Sequence, residues 1–156
     1  MDKTNVMRVL ERAKVPCKAH FYDISDGKID GVSVAQKVGL DPDTVFKTLV
    51  TRAHGGAVLV FVIPVRGELD LKKAARAAGV KSVEMLRQSE LLGVTGYVHG
   101  GCSPVGMKKR FPTFVDSSAL GLESMAVSAG KIGAQAELAP ADLLRVTGAQ
   151  TADLTV

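Results

Sequence analysis

The chain has 156 residues, of which 46% are hydrophobic and 23% are charged. These proportions are typical of a globular protein with one core and exclude a disordered chain. No apolar run reaches the roughly 20 residues that a membrane-spanning helix needs, and the charged N-terminal segment lacks the pattern of a secretory signal. Two cysteines, Cys17 and Cys102, make no disulfide framework, so we expect a cytoplasmic protein.

The net charge is +4, from 20 basic and 16 acidic residues. This excess suits a polyanionic partner, but solvated faces of scattered sign would give the same total. Aromatic residues make up only 4% of the chain and tryptophan is absent, which argues against a platform that stacks single-stranded bases.

Three elements are predicted before residue 40. Apolar spacing predicts an amphipathic helix over 3–14, and a short strand follows at 18–23. Ser33 and Gln36 have the spacing of a capping box, which predicts the start of a short helix that ends at Gly39.

The clearest signal is a β-hairpin of two apolar strands. The first strand is predicted over 45–52 and the second over 57–63, with Gly55 and Gly56 in the turn. The second strand is apolar on both faces, so we expect it at the centre of a sheet that is covered on both sides.

The remaining elements alternate between helices and strands. Asp70 caps a predicted helix that ends at Gly79. The inward face of this helix is expected to carry Leu71, Ala74, Ala75 and Ala78. Further along, the pattern predicts a strand over 82–86, a helix over 89–95, strands near 113–116, 123–128 and 133–138, a helix from Pro140 to Gly148, and a final strand over 152–154. We therefore predict one α+β domain over residues 1–156, built around a mixed sheet.

Lys47 interrupts an otherwise apolar strand. Because side chains alternate along a strand, Lys47 shares one face with Val45 and Leu49. A lysine in a largely buried layer needs a partner or has a lowered pKa, and both are signs of a functional site. A lysine whose stem packs while its ammonium reaches water gives the same pattern, so both interpretations stay open here.

A glycine-rich loop, GGCSPVG, covers residues 100–106. Its glycines leave backbone N–H groups accessible to a carbonyl oxygen or a phosphate. The loop lacks the GxxxxGK[ST] pattern of a Walker motif, and a plain tight turn is the alternative interpretation. The basic run 108–110 follows directly and would supply countercharge to a phosphate-bearing ligand.

Two Cys-His pairs invite comparison with a zinc site: Cys17 with His20, and His99 with Cys102. In a strand, an offset of three places Cys17 and His20 on opposite faces, where they cannot chelate one ion. His99 and Cys102 would also suit a base and its nucleophile, although lone buried cysteines are usually inert. We therefore predict no metal site, and we expect no cofactor.

The order of several segments resembles that of one family. In chain order these segments are KTNVMRVLERAKVP, VFKTLVTR, IPVRGELDLKKAARAAGVKSVEM, TGYVHGGCSPVGMKKRFPTFVD and VSAGKIGAQAEL. They follow one another as in the YbaK/EbsC family, free-standing relatives of the editing domain inserted in bacterial prolyl-tRNA synthetases. The resemblance runs from residue 3 to residue 154. It implies a mixed α/β domain whose sheet forms a pseudo-barrel flanked by helices, and trans-acting deacylation of mischarged tRNA, chiefly Cys-tRNA(Pro).

The resemblance also implies roles for single residues. The lysine on which the family's activity depends matches Lys47 and its functional tyrosine matches Tyr22, so these are the predicted catalytic residues. The predicted substrate-binding residues are Thr48, Gly100, Gly101, Cys102, Ser103, Pro104, Ser128, Gly130 and Gln135. We expect the backbone N–H groups of Gly101 to Ser103 to stabilise the developing oxyanion. Gln135 departs from the pattern, because family members often carry an aspartate there.

The expected partners are the acceptor end of an aminoacyl-tRNA and prolyl-tRNA synthetase. Weak tRNA contacts are predicted for Lys72, Lys73, Arg76, Lys108 and Lys109. Two alternatives stay open. One is a deacylase for another mischarged species such as Ala-tRNA(Pro), and the other is a non-catalytic module that binds tRNA or the synthetase.

Overall fold

The computed structural model describes residues 3–156. The α-helices in this part of the chain are α1 (Asn5–Arg12), α2 (Gly31–Val38), α3 (Leu71–Ala78), α4 (Gln88–Thr95) and α5 (Pro140–Thr147). The strands are β1 (Lys18–Phe21), β2 (Phe46–Ala53), β3 (Val58–Pro64), β4 (Val83–Met85), β5 (Thr113–Asp116), β6 (Met125–Ser128), β7 (Ala134–Leu138) and β8 (Gln150–Ala152). Short 3-10 turns lie at Pro42–Thr44 and Ser117–Gly121. None of the helices just named is long and apolar enough to cross a membrane.

The strands form two sheets that meet at one seam. The larger sheet has the order β4-β2-β3-β5-β8, with antiparallel pairs around β2 and parallel pairs around β5. The smaller sheet is antiparallel, in the order β1-β7-β6. A single parallel bridge between Val45 and Ala126 joins the start of β2 to β6. The predicted mixed α/β architecture is confirmed.

The main apolar core lies between the two sheets. It combines Phe46 and Val60 of the larger sheet with Val127 of the smaller one, and α1 and α5 contribute Leu10 and Leu143. Burying side chains of this size stabilises the fold by roughly 1.5–3 kcal/mol each. The core therefore fixes the relative position of the two sheets, and with it the seam between them.

A second apolar cluster covers the other face of the larger sheet. Phe61 and Ile63 of β3 pack there against Ala74 and Ala75 of α3. Phe61 also stacks on Phe114 of β5, with ring centroids 5.4 Å apart. Strand β3 is thus buried on both faces at the centre of its sheet, as its continuous apolar sequence predicted.

Two predicted helix details are wrong. The N-cap of α2 is Asp30, whose side chain accepts the N–H of Ser33, so Ser33 already lies inside the helix. Aspartate satisfies the free N–H groups of the first turn as well as serine does, and the helix starts earlier because of it. Leu71, expected on the inward face, is 42% exposed at the first position of α3.

The last strand is also displaced from its predicted position. It covers Gln150–Ala152 rather than 152–154, and it pairs in parallel with β5. Leu154, fully buried, leaves the ladder because its N–H donates to the Asp116 side chain at 3.0 Å.

We expect Phe61→Ala to lower the free energy of unfolding by about 3–5 kcal/mol, because it opens a cavity at the centre of the second cluster. Denaturant unfolding followed by circular dichroism measures this change. The control is Leu120→Ala at a side chain that is 61% exposed, where we expect a change within about 0.5 kcal/mol. Equal effects of the two substitutions would contradict the described burial of β3.

Candidate active site

Polar side chains of three strands lie side by side at the seam between the sheets. Because the Val45–Ala126 bridge is parallel, Lys47 on β2 lies level with Ser128 on β6. Ser128 in turn lies directly opposite Gln135 in the ladder between β6 and β7. The bridge is isolated, and beyond it β2 and β6 form no ladder. The two strands therefore leave space between them where these polar residues lie.

A cavity of about 300 Å³ occupies this space. The predicted site residues that line it are Tyr22, Lys47, Thr48, Gly100, Cys102, Ser128 and Gln135. The lining residues that sequence reasoning missed are Ile29, Asp30, Gly31, Val34, Val45, Phe46, Leu49, Val65, Leu91 and His99. Most of the missed residues are apolar and carry no chemical signal. The amine of β2 and the first half of the glycine-rich loop thus border one common hollow.

Lys47 is half-buried in the wall of this cavity. Within residues 3–156 its ammonium makes no ion pair, although six other lysine and arginine side chains there do. The alternation inferred from sequence holds. Phe46 and Val50, one and three positions from Lys47, belong to the opposite face of β2 and pack in the core between the sheets. Lys47 is therefore a cation without an ion pair in the wall of this cavity, which suits an anionic ligand group.

Two buried oxygens in the cavity wall lack a hydrogen-bond donor. They are Oγ1 of Thr48 and Oε1 of Gln135, and neither has a partner in the described part of the chain. Leaving a buried polar atom unpaired costs roughly 1–3 kcal/mol, so native proteins rarely do it without a reason. A ligand that brings N–H or O–H groups to these two oxygens would remove that cost.

The glycine-rich loop borders the cavity through its first residues. Gly100 has a φ of +86°, and a Cβ there would lie 3.1 Å from the Ile29 side chain. A Cβ on Gly101 would lie 3.0 Å from the backbone of Lys131, so the loop packs directly against the turn after β6. Both positions therefore favour glycine.

Four predicted binding residues do not line the cavity. Ser103 is fully buried, and its Oγ accepts the N–H of Val105 at 3.3 Å. Pro104 instead borders a second, smaller cavity of about 160 Å³. Gly130 lies against the core, where a Cβ would come within 2.9 Å of Val6. Gly101 packs against the backbone of Lys131 instead.

The backbone donors of the loop are not all available either. The N–H of Gly101 donates to the carbonyl of Val98 at 3.0 Å, so it cannot also bind an oxyanion. The N–H groups of Cys102 and Ser103 donate to no backbone carbonyl within residues 3–156. Of the three expected donors, Cys102 alone both lines the cavity and keeps an N–H that donates to no backbone carbonyl in this part of the chain.

Cys102 lines the cavity as a neutral thiol. Burial raises its pKa to about 12, so the thiolate is essentially absent at neutral pH. This argues against the alternative in which Cys102 is a nucleophile with His99 as its base. Cys17 is exposed, and in the described part of the chain no group of three or more His, Cys, Asp or Glu side chains could hold a metal ion.

A hydrogen-bonded chain beside the cavity was not anticipated from the sequence. His20, opposite Gln135 in the ladder, contacts Oε1 of Glu137 through Nε2 at 2.8 Å. Ser124 donates to the other carboxylate oxygen at 2.6 Å. The hydrogen bonds from Ser124 and then His20 lower the pKa of Glu137. These hydrogen bonds tie β1 and the residue just before β6 to β7, next to Gln135.

The predicted tRNA-binding residues lie outside the cavity, and two of them are already engaged. Lys73 pairs with Asp153 at 3.0 Å and also donates to a backbone carbonyl. Lys108 donates to the carbonyl of Gly93 near the end of α4. In the described residues, Lys72, Arg76 and Lys109 form no ion pair. Their contact with tRNA remains a prediction.

Comparison with known proteins identifies the family. The pattern of the aminoacyl-tRNA editing domain matches residues 30–146. A protein of Enterococcus faecalis, EbsC, is 47% identical over 99% of this chain and 94% of its own length, and its name describes a candidate Cys-tRNA(Pro)/Cys-tRNA(Cys) deacylase. The chain belongs to the aminoacyl-tRNA editing domain family. The family and the deacylase class predicted from sequence are thereby confirmed.

Solved structures agree with this membership. A crystal structure described as a candidate trans-editing enzyme for prolyl-tRNA synthetase superimposes with a TM-score of 0.84 at 29% identity, covering 97% of this chain and 95% of that one. A hypothetical protein of known structure gives a TM-score of 0.89 at 24% identity over 98% of this chain and all of its own, which shows the shared editing-domain fold. An uncharacterised Bacillus subtilis protein, YwhH, is 28% identical over 70% of this chain and 69% of its own length.

The Glu137 cluster predicts a specific response to acid. A carboxyl whose folded pKa is lowered stabilises the fold above its unfolded pKa of 4.5, and this contribution is lost as the pH falls through the folded value. We therefore expect Glu137→Gln to flatten the acid side of the stability curve below pH 4.5. Denaturant unfolding at several pH values tests this, with the exposed Glu123→Gln as control. An unchanged curve for Glu137→Gln would refute the role of this carboxylate.

Proposed function

We propose that this chain is a trans-acting deacylase that clears Cys-tRNA(Pro), and that its site is the cavity at the seam. The observation that carries the proposal is that Lys47 and the loop residues Gly100 and Cys102 border the same cavity, together with two unpartnered buried oxygens. The E. faecalis relative, by its name, points to the same substrate. Apolar contacts in a proline pocket cannot strongly reject cysteine, so a second site is needed to correct the error.

The chemistry we propose uses the substrate's own thiol. The cysteine sulfur attacks its ester carbonyl, the bond from that carbonyl to the ribose oxygen breaks, and the thiol proton ends on the ribose hydroxyl. The free tRNA leaves together with a cysteine thiolactone. The neutral Cys102 thiol supports this scheme, because the cavity wall then offers no protein thiolate to compete as nucleophile.

Within this scheme the lining residues take distinct positions. Lys47, unpaired in the cavity wall, binds the phosphate or ribose of the terminal adenosine. The N–H of Cys102 stabilises the oxyanion, and loss of one such donor commonly costs about 10²–10³ in rate. Tyr22 and Ser128 hold the amino group or the ribose hydroxyls of the substrate.

Partners and location follow from the substrate. We propose that the whole chain is one editing domain of the cytoplasm, where it receives mischarged tRNA from prolyl-tRNA synthetase. Among the predicted basic contacts, Lys72, Arg76 and Lys109 are the best placed to meet tRNA phosphates, since Lys73 and Lys108 are engaged elsewhere. Binding through such contacts weakens steeply with salt.

We expect Lys47→Ala to lower deacylation of Cys-tRNA(Pro) by at least about 10²-fold, because the terminal nucleotide loses its position in the cavity. Hydrolysis of Cys-, Ala- and Pro-tRNA(Pro), measured side by side for wild type and variant, tests this. The control is Lys81→Ala, at an exposed lysine that does not line the cavity.

Two outcomes of this panel would overturn the proposal. Full activity of Lys47→Ala would show that Lys47 does not take part in the reaction. Preference of the wild type for Ala-tRNA(Pro) would exclude the thiol-assisted scheme, because alanine has no sulfur and its ester requires an activated water.

Ser103→Ala separates a backbone role of the loop from a side-chain role. Because Ser103 Oγ is engaged with the N–H of Val105, we expect deacylation within about tenfold of wild type. We also expect a loss of roughly 1–3 kcal/mol in the free energy of unfolding, since a buried N–H loses its acceptor. Complete loss of activity in a folded variant would mean that the hydroxyl itself takes part in the reaction.

A further inference from the structure

We propose that Asp30 is the carboxylate that binds the α-ammonium group of the aminoacyl ester. This inference rests on the proposed function, since it assigns a partner to one group of that substrate. Asp30 is the N-cap of α2 and lines the cavity at the seam. It is the only carboxylate among the described residues that line this cavity.

The cavity wall needs a ligand group with several N–H donors. Oγ1 of Thr48 and Oε1 of Gln135 are buried without a partner, and Gln135 is only 6% exposed. An ammonium group carries three N–H donors and no acceptor, so it can serve both oxygens and one more. A carboxylate, a hydroxyl and an amide oxygen, from α2, β2 and β7, are a suitable acceptor set.

The positive charge of the ammonium group explains why Asp30 is needed in addition to the two neutral oxygens. Gln135 is an amide and Thr48 is a hydroxyl, so neither compensates the positive charge of an ammonium. Hydrogen bonds between charged partners are roughly twice as strong as those between neutral ones. Without Asp30, the charges lining this cavity would be the Lys47 ammonium and any charge on His99, which repel a second cation.

Asp30 is held in place and kept ionised by its surroundings. Its Oδ2 accepts the N–H of Ser33 at 3.1 Å, and hydrogen bonds from the Ser33 side chain and then its backbone lower the pKa of this exposed carboxyl. A Cβ on the next residue, Gly31, would lie 2.5 Å from the Val65 side chain, so the backbone is packed closely there. On the preceding side, Lys37 binds Asp26 and two carbonyls of the 23–28 loop.

The alternative is that Asp30 is only a helix cap. Asparagine caps helices about as well as aspartate does, so Asp30→Asn removes the negative charge and keeps the cap. Asp70→Asn is the matched control, because Asp70 caps α3 in the same way and does not line the cavity. Thermal unfolding of both variants checks that the caps survive.

The experiment measures binding of a non-hydrolysable probe by titration calorimetry. The probe is 3′-deoxy-3′-(cysteinylamino)adenosine, with an amide in place of the ester, and its N-acetyl form lacks the charge on the amine. We expect N-acetylation to weaken binding to wild type and to Asp70→Asn by roughly 10- to 100-fold. For Asp30→Asn we expect the unmodified probe to bind 10- to 100-fold more weakly and N-acetylation to add less than about threefold.

Each other outcome overturns the inference. If N-acetylation weakens binding equally in wild type and Asp30→Asn, Asp30 does not contact the amine. If the unmodified probe does not bind the wild type, or binds it no better than its N-acetyl form does, the cavity has no ammonium site. Deacylation of Cys-tRNA(Pro) by wild type, measured separately, shows whether the proposed function stands when the Asp30 assignment fails.

Discussion

The site depends on the point at which two strands stop pairing. Strands β2 and β6 are joined by one bridge, Val45 to Ala126, and the chain beyond it belongs to two different sheets. The core between the sheets holds this seam in position, because its side chains come from both. A longer ladder would place Lys47 and Ser128 side by side with no room for a substrate. The cavity is therefore a consequence of limited pairing within a well-packed fold.

Polar groups that lack a partner in the folded protein lie together at this seam. The unpartnered buried oxygens of Thr48 and Gln135 are unfavourable in the free protein, and the ammonium of Lys47 lies in the same cavity wall without an ion pair in the described residues. Strand β3, buried on both faces, and the two apolar clusters supply the stability that tolerates them. A ligand with an anionic group for Lys47 and N–H or O–H groups for the two oxygens would supply the partners that these groups lack. The cavity wall thus combines apolar side chains with three polar groups that lack partners in the described residues.

The sequence predicted what is local and missed what is brought together by folding. The hairpin, the αL glycines at Gly39 and Gly79, and the position of Lys47 follow from neighbouring residues, and they were predicted. The pairing of His20 with Glu137 spans 117 positions, and no short pattern reveals it. The sequence also does not reveal the contacts of the basic run at 108–110, because Arg110 donates to carbonyls at the end of α5, 36 and 37 positions away. Asp30 was missed because the sequence does not show that the residue that caps α2 also lines the cavity.

The contact between Gly101 and the backbone of Lys131 couples two segments that are thirty positions apart. A Cβ at residue 101 would press on main-chain atoms of Lys131, so glycine is favoured at 101. Tyr97 reinforces the arrangement, since its hydroxyl donates to the carbonyl of Val105 within the same loop. The two turns therefore pack as one unit directly behind Gly100 and Cys102, so the part of the cavity wall that these two residues form is supported by a segment outside the cavity.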